Sequence, residues 1–122
     1  MPVQRIDNMS LDKILNGSIK QDASCIVKFY SNDCHLCQAL QEHYENLSKE
    51  EQFSDLHFFA FNIDDNPTLE KRMSFNGVPT IAKIEVKDQA ASTTLMPEPT
   101  DPHPETWYRT VEIRNFIQKE KK

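Results

Sequence analysis

The spacing of apolar positions changes period several times along this chain, and each change marks an element. Cys25, Ile26, Val27, Phe29 and Tyr30 form a nearly unbroken apolar, β-favouring run in which Lys28 is the only charge. Such a run predicts a strand buried on both faces. After Ser31, Asn32 and Asp33 the period becomes helical. Leu36, Leu40, Tyr44 and Leu47 fall on one face of an amphipathic helix over about residues 34–51, with Asp33 or Asn32 as its expected cap. Residues 56–63, rich in Phe, predict a second buried strand. Asn66-Pro67 opens a further helix, with proline in the first turn where its missing N–H does no harm. Leu69 and Met73 give that helix its buried face, and Asn76-Gly77 its expected stop. Residues 78–86 and 91–96 predict two strands joined as a hairpin by a turn at 87–90.

The ends are less regular. Ser10 is expected to cap a short helix over 11–16 that Gly17 stops. Residues 1–8, with Val3 and Ile6, read as either a short strand or a loose arm. Pro97, Pro99, Pro102 and Pro104 exclude regular structure from a loop at about 97–109. Thr110 is expected to cap a last helix whose apolar stripe is Ile113, Phe116 and Ile117. The order α-β-α-β-α-β-β-α, with or without an extra first strand, predicts an α/β fold. Its mixed sheet of four to five strands is flanked by helices.

Length and composition narrow this picture. The 122 residues suit one domain over 1–122, able to bury a real core without disulfide staples. With 38% hydrophobic and 27% charged residues, the chain reads as soluble and globular. A net charge of −5 argues against nucleic-acid binding, which needs clustered Lys and Arg. The one basic cluster, Lys119, Lys121 and Lys122, reads as a solvated helix end. Residues 1–24 carry no continuous apolar core of a signal peptide, and nothing approaches the ~20 apolar residues of a membrane span. Three cysteines are too few for a disulfide framework, so a reducing, cytoplasmic compartment is expected.

The chemistry concentrates at Cys34-His35-Leu36-Cys37. Two cysteines at this spacing can close a small disulfide ring, and here the first lies where a strand turns into a helix. Unpaired backbone N–H groups and the helix dipole favour a thiolate there, and the thiolate is the nucleophile of disulfide exchange. Cys34 is the expected attacker and Cys37, one turn on, the resolving thiol. Zinc uses the same spacing but needs two further ligands. The nearest candidates are His35 and His43, the latter well along the same helix. No metal site and no organic cofactor are expected.

Three stretches together resemble the thioredoxin family over residues 25–96. They are the strand and turn that lead into Cys34-His35-Leu36-Cys37, then Asn62-Ile63-Asp64-Asp65-Asn66-Pro67, then Gly77-Val78-Pro79-Thr80. Pro79 lies 45 positions after Cys34, which also fits. The resemblance implies a thioredoxin-like fold and a cis Val78–Pro79 bond. It also implies that the Val78-Pro79-Thr80 backbone pairs with a substrate strand beside the cysteines. The partners it implies are disulfide-containing proteins and a thiol reductase or small-thiol electron donor; separately, the chain is expected to be a monomer.

Several residues depart from the family pattern. Lys28 stands where thioredoxins keep a buried acid. Protonated, it would favour nearby thiolates; buried, its own pKa would fall; the alternative is that it snorkels to the sheet edge. Asp33 replaces a tryptophan and would raise the Cys34 pKa, or serves only as a helix cap. Tyr30 is expected to pack. His35 and Leu36 replace Gly-Pro, the pair that tunes redox poise. Cys25 reads as an inert core residue. The proline-rich loop brings His103, Trp107 and Tyr108; it either flanks the substrate groove, with Trp107 touching substrate, or is a surface crossover that Trp107 anchors. The expected function is thiol–disulfide exchange through Cys34 and Cys37. The alternative is a redox-weak binding or adaptor module on the same scaffold.

Overall fold

The computed structural model describes residues 3–75 and 77–120. Asn76, Lys121 and Lys122, with the first two positions of the expected arm, lie outside the described residues. Five strands form one mixed sheet: β1 (Val3–Arg5), β2 (Ala23–Tyr30), β3 (His57–Asn62), β4 (Thr80–Lys87) and β5 (Ala90–Leu95). Their order across the sheet is β1-β3-β2-β4-β5. β1 and β2 run parallel to β3, while β4 is antiparallel to both β2 and β5. The arm is therefore a short edge strand, and β2 is central, which is why its apolar run is nearly continuous.

The period of two along β2 divides the core. Cys25, Val27 and Phe29 pack on one side with Leu11 and Ile14 of helix α1 (Asn8–Leu15) and Leu69 of helix α3 (Leu69–Met73). Ile26 packs on the other, against helix α2 (His35–Ser48) through Leu40, Tyr44 and Leu47 and helix α4 (Thr110–Glu120) through Ile113 and Ile117. The Tyr44 hydroxyl lies 2.9 Å from the Ile26 carbonyl oxygen and 2.8 Å from that of Phe59, which ties α2 to two adjacent strands. A forked Arg114–Glu50 ion pair at 2.8 Å joins α4 to the end of α2. Among the described residues no helix is long and apolar enough to cross a membrane.

Element ends depart from the sequence expectation in a consistent way. Helix α1 starts earlier, because the Asp7 carboxylate rather than Ser10 caps it, accepting the Ser10 N–H at 2.8 Å. Thr110 is the first residue of α4 and not its cap; the Glu112 side chain reaches back to the Arg109 N–H at 2.8 Å, half of a capping box. Helix α3 spans only five residues and stops at Ser74, whose φ of 66° breaks the helix before Gly77 is reached. The β4–β5 hairpin turns on Asp88 and Gln89, both at positive φ (53° and 66°), the backbone of a two-residue hairpin turn built without glycine. The proline-rich loop contains no helix or strand. It folds back on itself through an isolated bridge between His103 and Trp107.

Candidate active site

The turn between β2 and α2 is clasped to the end of β3. The Asn32 N–H donates to Asp64 at 3.0 Å, and the Asn62 side-chain amide donates to Asn32 Oδ1 at 2.8 Å. These bonds fix where α2 begins, and Cys34 holds that position. It is the N-cap of α2, with extended backbone (φ −94°, ψ 101°), and its own sulfur accepts the Cys37 N–H at 3.0 Å. Asp33 and Asn32, the caps expected from sequence, do not cap the helix. Asp33 and His35 are both exposed, directed away from the core.

Cys34 and Cys37 are joined as a disulfide with Cα atoms 5.2 Å apart. The pair is asymmetric. Cys34 is half-buried, and Cys37 is only 2% exposed. Cys34 Sγ lies 3.8 Å from the carbonyl oxygen of Val78, and the Val78–Pro79 peptide bond is cis. The loop carrying that bond is itself tied down. Glu70 accepts the Gly77 N–H, and Thr80 Oγ1 donates to Gly77 O at 2.8 Å. Gly77 has φ of 80°, a conformation a side chain would resist.

Two hollows flank the disulfide. The first is a groove of about 460 Å³ lined by Leu36, Val78, Pro79, Thr80, Met96 and Trp107, among others. The proline-rich loop thus forms one wall of the groove beside Pro79. Within it Trp107 is half-buried, and Tyr108, only 2% exposed, is the anchor. Trp107 has φ of 66° and exchanges two backbone hydrogen bonds with His103, at 2.9 and 3.0 Å. A non-glycine residue in that region costs about 1–3 kcal/mol and persists where its surroundings over-determine it.

The second hollow, about 780 Å³, lies on the α2 side of the sheet and is lined by Arg5, Lys28, Tyr30, Cys37, Tyr44 and Glu45, among others. Lys28 is 4% exposed. It lines this hollow together with the edge-strand residues Val3, Gln4 and Arg5. Its ammonium sits 5.4 Å from the centre of the Tyr44 ring and 5.7 Å from that of Tyr30. Burial pushes its pKa down to about 8, opposed by the charge of Glu45 and reinforced by that of Arg5. The Tyr30 ring is half-buried and faces two cations, Lys28 and Arg5. On the opposite face Cys25 is buried, and its thiol is pushed up to about 11, which keeps it protonated.

Among the described residues no group of three or more His, Cys, Asp and Glu is placed to hold a metal ion. Arg5, Tyr44 and Glu45 were not singled out as site residues from sequence. Tyr44 was legible only as part of a helical stripe, and Arg5 gave no signal, because only the β1–β3 pairing brings it to the site.

The sequence profile of the thioredoxin family matches residues 6–98. No curated protein matches the chain. Among solved structures, the thioredoxin of Malassezia sympodialis superposes with a TM-score of 0.68 at 15% identity, over 98% of this chain and 91% of that one. Spinach chloroplast thioredoxin f (short form) gives 0.67 at 18% identity, over 98% and 94%. Chloroplastic thioredoxin z gives 0.66 at 22%, again over 98% and 94%. These identities speak for the fold alone. The profile spans well over half of the chain and includes both cysteines and the Pro79 loop, and on that ground this chain belongs to the thioredoxin family.

Proposed function

We propose that this protein is a dithiol–disulfide oxidoreductase that reduces disulfides in protein substrates. The observation that carries this reading is the asymmetry of the pair: Cys34 is half-buried with its sulfur 3.8 Å from the Val78 carbonyl oxygen, and Cys37 is only 2% exposed. Cys34 Sγ lies at the first turn of α2 with the Cys37 N–H pointing at it, a placement that favours the thiolate once the pair is reduced. The thiolate attacks one sulfur of the substrate disulfide. A Cys34–substrate bond forms, the substrate S–S bond breaks, and the first substrate sulfur leaves as a thiolate. Cys37 then attacks Cys34 Sγ, the second substrate sulfur leaves, and the Cys34–Cys37 disulfide is the oxidised product. Two electrons from a thiol reductase or a small thiol restore the dithiol. Val78, Pro79 and Thr80 offer backbone to an extended substrate segment, and Trp107 offers a ring face to its side chains. The exposed His35 and Asp33 and the groove-lining Leu36 tune the potential. We place the reaction in the cytoplasm, acting as a reductant.

Insulin reduction by dithiothreitol tests the reading. The wild-type protein is expected to accelerate it, Cys34→Ser to return it to the uncatalysed rate, and Cys37→Ser to accumulate a mixed disulfide on Cys34. No acceleration, with no mixed disulfide on Cys37→Ser, would leave the scaffold as a redox-weak adaptor.

A further inference from the structure

The hollow on the α2 side of the sheet has a lining that the exchange chemistry does not use. Arg5, Ala60 and Lys28 form one row across three neighbouring strands, since Arg5 pairs with Ala60 and Ala60 with Lys28. All three line the hollow. Adjacent strands lie about 4.8 Å apart, so the two cationic residues start about 10 Å from each other. Only the Ala60 methyl group stands between them in that row. Both head groups come near one ring: Arg5 Cζ lies 5.9 Å and Lys28 Nζ 5.7 Å from the centre of Tyr30. Burial lowers the Lys28 pKa, Glu45 raises it, and the charge of Arg5 lowers it further, so the two cations sense each other. Neither takes part in a salt bridge among the described residues. Glu45, half-buried on α2, is the one acid on the described lining, which therefore carries two positive charges against one negative.

We propose that this hollow is a binding site for a small organic oxyanion, a carboxylate or a phosphate ester, held between Arg5 and Lys28. Two cations brought to one ring repel each other, and an anion between them turns that repulsion into attraction. The roles divide by chemistry. The exposed Arg5 guanidinium presents paired N–H donors that match two oxygens of a carboxylate or phosphate, while Lys28 supplies a point charge from the sheet. The Tyr30 ring offers an apolar wall to the carbon part of the ligand, and the amides of Gln4 and Gln41 offer hydrogen bonds at the rim. The size agrees with an organic molecule and exceeds what an inorganic ion needs. The hollow measures about 780 Å³, and small-molecule pockets run from roughly 300 to 1,000 Å³. Its lining shares no residue with that of the Pro79 groove, so an occupied hollow leaves the groove open.

The test is a titration of the oxidised protein with succinate and, separately, with phenyl phosphate. The backbone amide resonances of Arg5, Lys28 and Ala60 are followed at pH 7, with sodium chloride at matched ionic strength as the control. At least one probe is expected to shift them saturably, and which one does so identifies the head group as carboxylate or phosphate. Arg5→Gln and Lys28→Met are each expected to weaken that binding about tenfold, as the loss of one hydrogen bond to a charged group does. Arg5 is exposed on an edge strand, so its variant tests the site without disturbing the core. A second readout is the Lys28 15Nζ midpoint, which lies at about 8 and should rise with the bound probe, because a nearby anion favours the ammonium. Arg5 on β1, Tyr30 on β2, and Tyr44 and Glu45 on α2 face Lys28 in both titrations and cancel in the difference. Shifts that neither probe saturates, shifts that sodium chloride reproduces, an affinity unchanged in either variant, or an unmoved Lys28 midpoint overturns the proposal. No disulfide is exchanged in these titrations, so their failure leaves the oxidoreductase reading standing, and a failed insulin assay leaves the anion site standing.

Discussion

The two hollows that flank the disulfide are built from opposite materials. The groove beside Cys34 is made of loop: the cis Val78–Pro79 bond, the start of β4, and a wall contributed by the proline-rich segment. The hollow beneath Cys37 is made of sheet and helix: β1, β2, β3 and the first turns of α2. One is shaped by backbone that could accept another chain, the other by a buried charge. The difference shows how one S–S bond can serve two sulfurs with different tasks. Under the proposed function, Cys34 would meet a partner from outside, where loops can vary without disturbing the core. Cys37 is buried on the inside, against sheet and helix. The comparison breaks if the wall proves structural or if the charge proves inert.

The largest expected effect is on the wall. Tyr108 belongs to the buried cluster that includes Ile26, Leu40 and Ile113 and directly follows Trp107, whose φ is 66°. Tyr108→Ala is expected to cost about 3–5 kcal/mol, as deletion of a buried aromatic does, measured by urea unfolding of the oxidised protein. A loss under about 1 kcal/mol would mean that the loop stands without its anchor.

Next comes the charge. The unfolded chain holds the Lys28 proton up to its ordinary pKa of 10.5, and the folded chain only to about 8. Between those values the unfolded state binds more protons, so this residue makes stability rise with pH from about 8 to about 10.5. Below 8 its penalty is fully present, and a shift of this size corresponds to about 3 kcal/mol. Oxidised Lys28→Met is therefore expected to be more stable than wild type by up to that amount at pH 7. The gain should shrink steadily above pH 8. Cys25, Tyr44 and Tyr108, whose pKa values burial raises, oppose the trend at alkaline pH but are common to both proteins and cancel in the difference. A gain that stays constant from pH 7 to 10 would show that Lys28 is not titrating in the folded state.

These two residues also show what a sequence can and cannot announce. Lys28 was conspicuous as one charge within an apolar run, and Cys34, Cys37 and Pro79 carried their spacing openly. The strands and helices followed from periods of two and 3.6 that burial enforces over many residues. What the periods could not supply was decided by single contacts. Whether Ser10 or Asp7 caps α1 depends on which oxygen reaches an N–H. Cys34 takes the cap of α2 from Asp33 because its sulfur already occupies that place. The hollow itself was invisible, because Arg5, Lys28 and Cys37 meet only once β1 pairs with β3 and α2 crosses the sheet.

A smaller effect belongs to the groove. Trp107→Ala keeps the left-handed backbone but removes the ring from the wall beside Pro79. It is expected to lower kcat/KM for peptide disulfides about tenfold, or about 1.4 kcal/mol, with a larger loss for substrates bearing aromatic neighbours to the cysteine. Equal kcat/KM across a substrate panel would reduce Trp107 to a crossover anchor.

The smallest expected effect is the most informative about the comparison as a whole. The linings of the two hollows share no residue; Cys37 lines one, and Cys34 sits against Val78 of the other. Substitutions without shared partners add to within about 0.5 kcal/mol. A double-mutant cycle of Lys28→Met and Trp107→Ala, read as kcat/KM for formation of the Cys34 mixed disulfide and as the separate rate of its resolution, should show coupling no larger than that. A coupling energy well above 1 kcal/mol would mean that substrate seated against Trp107 alters the surroundings of Cys37. The two sides would then be one device, with the disulfide as its hinge rather than its boundary.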